Sequence, residues 1–179
     1  MPLGAAMSKR THVIIAALAV VAMCGFIFFM SARPSGESGA MSMEIVQRII
    51  EFVVPGFADL SPSEQLAKMK LVDHIVRKIA HFSEYALLGI LAFNLVRLLT
   101  TRSGQVLPTF RWMFLSWALA TAYAITDEVH QIFVPGRSCM PTDVLIDSAG
   151  VLAGVLLFVG VLALVGRVRS SRGKAFAGE

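Results

Sequence analysis

Long apolar blocks alternate with short polar ones along the chain, and the block lengths predict its elements. From His12 to Met30 the run is almost unbroken and follows Lys9-Arg10. As a helix rising about 1.5 Å per residue it would cross a hydrocarbon core of about 30 Å. A cleaved signal peptide shares the basic-then-apolar order. The run is long for one, and Phe29-Met30-Ser31-Ala32-Arg33-Pro34 makes a poor small-residue cleavage site, so we read a retained anchor. Arg33 to Ala40, with Pro34, Gly36, Gly39 and serines, reads as a flexible linker. Met43 to Val54 sets Ile45, Val46, Ile49, Ile50 and Val53 among Glu44, Gln47, Arg48 and Glu51. That spacing predicts an amphipathic helix, stopped by Pro55-Gly56, that lies on the membrane surface or packs over the bundle. Ser61-Pro62-Ser63-Glu64 reads as a helix start: Ser61 caps, Pro62 sits in the first turn and Glu64 completes a capping box. The helix would carry Gln65 to Lys78 into the next span.

Three more spans are predicted. Ile79 to Thr100 holds its polar residues in its first half, and Thr101 to Thr109 is a loop. Arg111 to about Phe133 follows, with Trp112 and Trp117 as an aromatic belt at one interface. Val134-Pro135-Gly136-Arg137 is a tight turn. Val144 to Val165 is the last span, followed by Arg167, Arg169, Arg172 and Lys174. The expected fold is therefore all-α: an integral membrane bundle of four transmembrane helices with an amphipathic extracytoplasmic insertion after the first. The expected divisions are a cytoplasmic N-terminus over 1–11, a first span over 12–30, an extracytoplasmic segment over 31–77, a core over 78–166 and a basic cytoplasmic tail over 167–179.

Composition strengthens this reading. Hydrophobic residues make up 56% of the chain and charged ones 16%, against about 25% charged in soluble domains. Mean hydropathy is +0.71. The net charge of +4 lies beside apolar blocks, which argues for a membrane rather than nucleic acid. Cys24 and Cys139 have no CxxC spacing, so neither a disulfide nor a thiolate metal site is expected.

Charge also orients the bundle. Lys9, Arg10, Arg97, Arg102, Arg111, Arg167, Arg169, Arg172 and Lys174 flank the spans on one side. Arg33, Arg48, Lys68, Lys70, Arg77, Lys78 and Arg137 are spread over the other side, with most of the acids. The bias puts both termini in the cytoplasm and turns the polar cluster outward, toward the periplasm or cell wall.

That cluster carries the candidate chemistry. Ionisable groups are rare in membrane segments, because each costs about 2.5–3.5 kcal/mol at a helix centre unless paired or wet. Here they gather at three span ends. Residues three and four apart share a helix face, so Lys78, His81 and Glu84 or Tyr85 line the second span. Tyr123, Asp127 and His130 line the third, with Glu128 turned aside, and Asp143 and Asp147 stack on the fourth. Antiparallel neighbours would bring these ends into one pocket. His81, Glu84, Asp127, Glu128, His130, Asp143 and Asp147 are the acid–base candidates. Lys78, Tyr85, Gln131 and Arg137 would hold an anionic substrate such as a phosphate. His81, Glu84, Asp127, His130, Asp143 and Asp147 would equally suit a divalent metal, since helical bundles build such sites from inward His and carboxylates. A third use is purely structural, with Lys78 paired to Glu84 and Arg137 to Asp143. Gly150-Val-Leu-Ala-Gly154 permits close helix contact, and we expect it to pack against the chain's own spans. No phosphate-cradling glycine loop, G-x-S-x-G elbow or H-E-x-x-H motif is present.

Three stretches resemble the signature of the VanZ-like family of small bacterial membrane proteins. They are Arg77-Lys78-x-x-His81-Phe82-x-Glu84-Tyr85-x-x-Leu88-Gly89, Thr126-Asp127-Glu128-x-His130-Gln131-x-Phe133-x-Pro135-Gly136-Arg137, and Asp143-x-x-x-Asp147-x-x-Gly150. The resemblance covers roughly residues 70–165. It departs at Asp147, where the family often has Asn, so the last helix here brings an extra negative charge. The resemblance implies a multi-pass envelope protein, and the family's founding member is associated with resistance to the lipoglycopeptide teicoplanin. Some members carry the label phosphotransbutyrylase. A soluble CoA-dependent reaction has no use for an outward-facing membrane pocket, and we set that label aside.

Two functions stay open. One is a membrane enzyme, of hydrolase type, acting on a lipid-linked or cell-envelope substrate at the outer face. The other is a non-catalytic binder of envelope lipid, lipoglycopeptide or an envelope protein. A transporter is disfavoured, since no charged residues cross the middle of the spans. Membrane lipids or a lipid-linked substrate are the expected partners, with no nucleic acid.

Overall fold

The computed structural model describes residues 8–101, 109–137 and 139–176. It is helical: α1 covers Lys9–Ser31, α2 Ser35–Val53, α3 Pro62–Thr100, α4 Thr109–Gln131 and α5 Pro141–Phe176, with a single 3-10 turn at Phe57–Asp59. No strand occurs among the described residues. α1, α3 and α5 are each long and apolar enough to cross a membrane. The expected 101–109 loop lies, apart from its two ends, outside the described residues. So do Arg102, the first seven residues and the last three.

Helix starts follow local chemistry. Ser8 caps α1 by accepting from the Thr11 amide. At α3 the capping box forms as expected: the Ser61 hydroxyl accepts from the Glu64 amide, and the Glu64 carboxylate accepts from the Ser61 amide. From that cap α3 runs unbroken for 39 residues, about 58 Å at the usual rise. The two segments expected over 65–78 and 79–100 are therefore one helix. Neither Gly nor Pro interrupts the join, so nothing stops propagation there. The expected linker is also shorter than its composition suggests. α2 begins directly after Pro34, whose φ of −53° suits a helix entry, and Gly36 and Gly39 do not prevent the turn. α2 packs against α3, with Val46 and Ile50 fully buried, which favours the packing alternative. Gly136, at φ 75°, makes the tight α4–α5 turn possible because a residue without Cβ tolerates the left-handed region.

Paired residues fix the directions. Phe82, Ala86 and Phe93 of α3 meet Gly150, Gly154 and Phe158 of α5, so α3 and α5 run parallel. Phe93 meets Trp112 and Tyr85 meets Tyr123, so α4 runs antiparallel to α3. Cys24 and Ser31 of α1 meet Tyr123 and Asp127, so α1 runs with α4. At one end Lys9 meets the Thr101 carbonyl; at the other lie Ser31, Asp127 and Asp143.

The core is a layer of Met23, Ile27, Tyr85, Leu88, Phe93, Trp112 and Val155. Its tightest contact is α3 on α5. A Cβ at Gly89 would stand 2.5 Å from the Val151 carbonyl oxygen, and one at Gly150 or Gly154 would strike the backbone of Phe82 or Ala86. The GxxxG pair therefore packs on the chain's own span, as expected. The tryptophan belt does not form. Trp112 is buried against Phe93, and the Trp117 ring nitrogen donates to Ser148 at 3.0 Å. Phe110 and Phe114 take the exposed positions instead, while apolar packing on Phe93 holds the Trp112 ring inside, its nitrogen buried without a partner.

Candidate functional site

At the end away from Lys9, α3, α4, α5 and the α4–α5 turn enclose a cleft of about 180 Å³. It is lined by His74, Arg77, Lys78, His81, Gln131, Gly136, Arg137, Met140 and Asp143. On α3, residues 74, 78 and 81 recur at spacings of four and three and so share the face turned to the cleft. Lys78 pairs with Asp143 of α5, each about a quarter exposed. This replaces the expected Lys78–Glu84 pair, because the parallel α3–α5 contact brings Asp143 alongside Lys78. Arg77 pairs with Asp73 one turn away at 3.0 Å. Arg137 donates from Nε to the Arg33 carbonyl at 3.0 Å and from Nη2 to the Met30 carbonyl at 3.4 Å, tying the turn to the end of α1. Burial, and then the like charge of Arg77, lower the basicity of the Arg137 guanidinium. Two guanidiniums and an ammonium thus line one cleft.

Beneath the cleft lies a layer of acids. Asp127, Glu128 and Asp147 are almost fully buried. Asp127 accepts from the Ser31 hydroxyl at 2.7 Å and from Gln131 Nε2 at 3.5 Å, while its Oδ1 has no partner. Glu128 accepts the Met140 amide at 3.1 Å and so fixes the start of α5. Both oxygens of Asp147 are buried without a partner. So is the hydroxyl of Tyr85, which feels the charges of Asp127 and Asp147. Glu84 lies near Asp127 and Arg137. His81 lies within electrostatic reach of Asp127, Arg137, Asp143 and Lys78. Buried polar groups are nearly always satisfied; here five atoms, on Asp127, Asp147, Tyr85 and His81, are buried without a partner, as are Arg97 Nε and Trp112 Nε1 toward the other end.

The structure thus brings together Lys78, His81, Glu84, Tyr85, Asp127, Glu128, Gln131, Arg137, Asp143 and Asp147. His130 turns away: its ring stacks on Phe28 of α1 with centroids 4.4 Å apart. The candidate ligands do not fit a divalent metal as they lie. Among the described residues no three His, Cys, Asp or Glu side chains converge as a metal-holding group. Asp143 already pairs with Lys78, and His130 packs on an aromatic ring. Ser31 and His74 went unmarked as site residues in the sequence, and Arg77 entered it only as a flanking charge and within the family motif. Ser31 is an ordinary polar residue at the end of an apolar run until α1 is placed beside α4. Arg77 and His74 could have been found, since they extend the Lys78–His81 face at helical spacing.

A helical bundle with apolar crossing helices and a polar cleft at one end defines a class of integral membrane protein. Within that class the chain belongs to the VanZ/LLP1 family, whose model matches residues 15–164. The match takes in most of α1 as well as the three motif-bearing helices, more than the motifs alone span. No curated protein and no solved structure matches the chain.

Proposed function

We propose that the chain crosses the membrane four times and uses its cleft to hold the anionic group of a lipid-linked or cell-envelope substrate at the outer face. Topology supports the fourth crossing. α3 and α5 run parallel, so a chain crossing through both must return between them. α4 has 23 residues, about 34 Å of helix, and carries no charge between Arg111 and Asp127. Lys9, Arg97, Arg111 and Arg167 lie toward the other end, which favours cytoplasm there and the cleft outside.

The observation that carries the binding role is the meeting of Arg77, Lys78 and Arg137 at one cleft, directly above buried acids. Guanidiniums hold phosphate or carboxylate by paired hydrogen bonds, and an anion between Arg77 and Arg137 would relieve their repulsion. His81 lines the cleft and neighbours Asp127, so it is the candidate acid–base group, with Glu84 beside it. The teicoplanin association of the family's founding member fits an envelope site with this chemistry. The test is binding of dihexanoyl phosphatidic acid to detergent-purified protein, with dihexanoyl phosphatidylcholine as the control. Wild type should prefer the phosphatidic acid, and Arg77→Gln and Arg137→Gln should each weaken it at least tenfold. Equal binding of both lipids would refute the proposal. Release of inorganic phosphate, abolished in His81→Ala, would add turnover to binding.

A further inference from the structure

A second cavity lies deeper, between α1, α3 and α4, with a volume of about 120 Å³ and an almost wholly apolar lining. Its walls include Val20 and Cys24 of α1, Leu88 and Leu95 of α3, and Leu119 and Ala120 of α4. The Tyr123 hydroxyl donates to the Cys24 carbonyl at 2.7 Å and Ser31 to Asp127 at 2.7 Å, so α1 and α4 are stitched together above it. Leu119, on its rim, is more than half exposed on the outside of the bundle, which leaves the cavity open sideways.

We propose that this cavity seats one alkyl chain of a bilayer lipid. Water is excluded as the occupant because it needs two to four polar partners, and an apolar cavity of about 150 Å³ stays dry and takes up hydrocarbon. Left empty, the cavity would forfeit dispersion contacts along three helices. In the hydrocarbon layer the abundant occupant of the right chemistry is a lipid chain. The proposal rests on the reading that α1, α3 and α4 lie in the bilayer.

The experiment uses full-length protein in phosphatidylcholine nanodiscs containing a phosphatidylcholine with a mid-chain diazirine. After irradiation, cross-links are mapped by mass spectrometry. Yields at Val20, Cys24, Leu95 and Leu119 should exceed those at Leu152, Leu156 and Leu157, exposed positions on α5, by at least fivefold. They should fall to that background in Ala120→Phe, which fills the cavity, and in the gentler Ala92→Leu. Equal yields at both groups of positions in wild type, or yields unchanged by both fillings, would overturn the proposal while leaving the membrane placement intact. No cross-link at either group would overturn the membrane placement itself, and the proposal with it.

Discussion

The bundle joins its helices in two different ways. α3 and α5 meet backbone to backbone, with Gly89, Gly150 and Gly154 removing every side chain from the closest points. α1 and α4 meet through side chains instead: Ser31 on Asp127, Tyr123 on the Cys24 carbonyl and Phe28 on His130. At its glycines the first contact is shape alone and leaves no room, with the Lys78–Asp143 pair only at its end. The second is polar and leaves a cavity below it. Lipid offers no hydrophobic drive for helices to associate, so close packing and interhelical hydrogen bonds must hold a membrane bundle. The site draws on both, since α3–α5 aligns Lys78 with Asp143 and α1–α4 holds Asp127.

The contrast predicts where substitution is tolerated. Gly154→Leu should have the largest effect, above about 3 kcal/mol, because overpacking against backbone has no rotamer to escape into. Yield of monodisperse protein and thermal unfolding in detergent measure it. Gly160→Leu on the same helix, where a Cβ meets nothing within 4 Å, should be neutral. Equal losses in the two variants would mean that hydrophobic bulk, not the α3–α5 approach, is being read.

Lys78→Met comes next, at about 2 kcal/mol, between the values for exposed and buried pairs that lose one partner. Adding Asp143→Asn should return most of that stability while anion binding stays lost. Recovery of binding in the double variant would make the pair a lock and nothing more. Ser31→Ala should remove about 1.5 kcal/mol, the usual range for a hydrogen bond to a charged group, with no loss at the α3–α5 seam as read by a disulfide cross-link there.

The smallest effect lies at the capped start of α3, beyond both contacts. Hydrogen bonds from Ser61 hold the Glu64 carboxyl below its usual range. A lowered folded-state value stabilises above the unfolded Glu value and is lost as pH falls through the folded one. Protection of the Glu64 and Gln65 amides, relative to their intrinsic exchange rates, should therefore fall on acidification below about pH 4, and should not change with pH in Glu64→Gln.

Much of this molecule was legible in its sequence, for identifiable reasons. The capping box, the apolar runs and the Gly136 turn are local and need no neighbour to be read. The clustering of His81, Asp127 and Asp147 followed from helical spacing once the spans were taken as neighbours. What could not be read depends on which helix lies beside which. The parallel α3–α5 contact chose Asp143 over Glu84 for Lys78, the placement of α1 made Ser31 a partner of Asp127, and Phe28 drew His130 away. Trp112 and Trp117 misled because aromatic belts and bundle interiors recruit the same residue type.

The outward-facing cleft is the claim on which the envelope reading depends, and the chain carries its own reporter for it. Cys139 is exposed in the α4–α5 turn beside the cleft, while Cys24 is half-buried within α1. Intact cells expressing the full chain would be treated with a membrane-impermeant maleimide before and after lysis. Cys139 should be fully labelled from outside, with Cys24 protected. Labelling of Cys139 only after lysis would turn the cleft to the cytoplasm and contradict that placement.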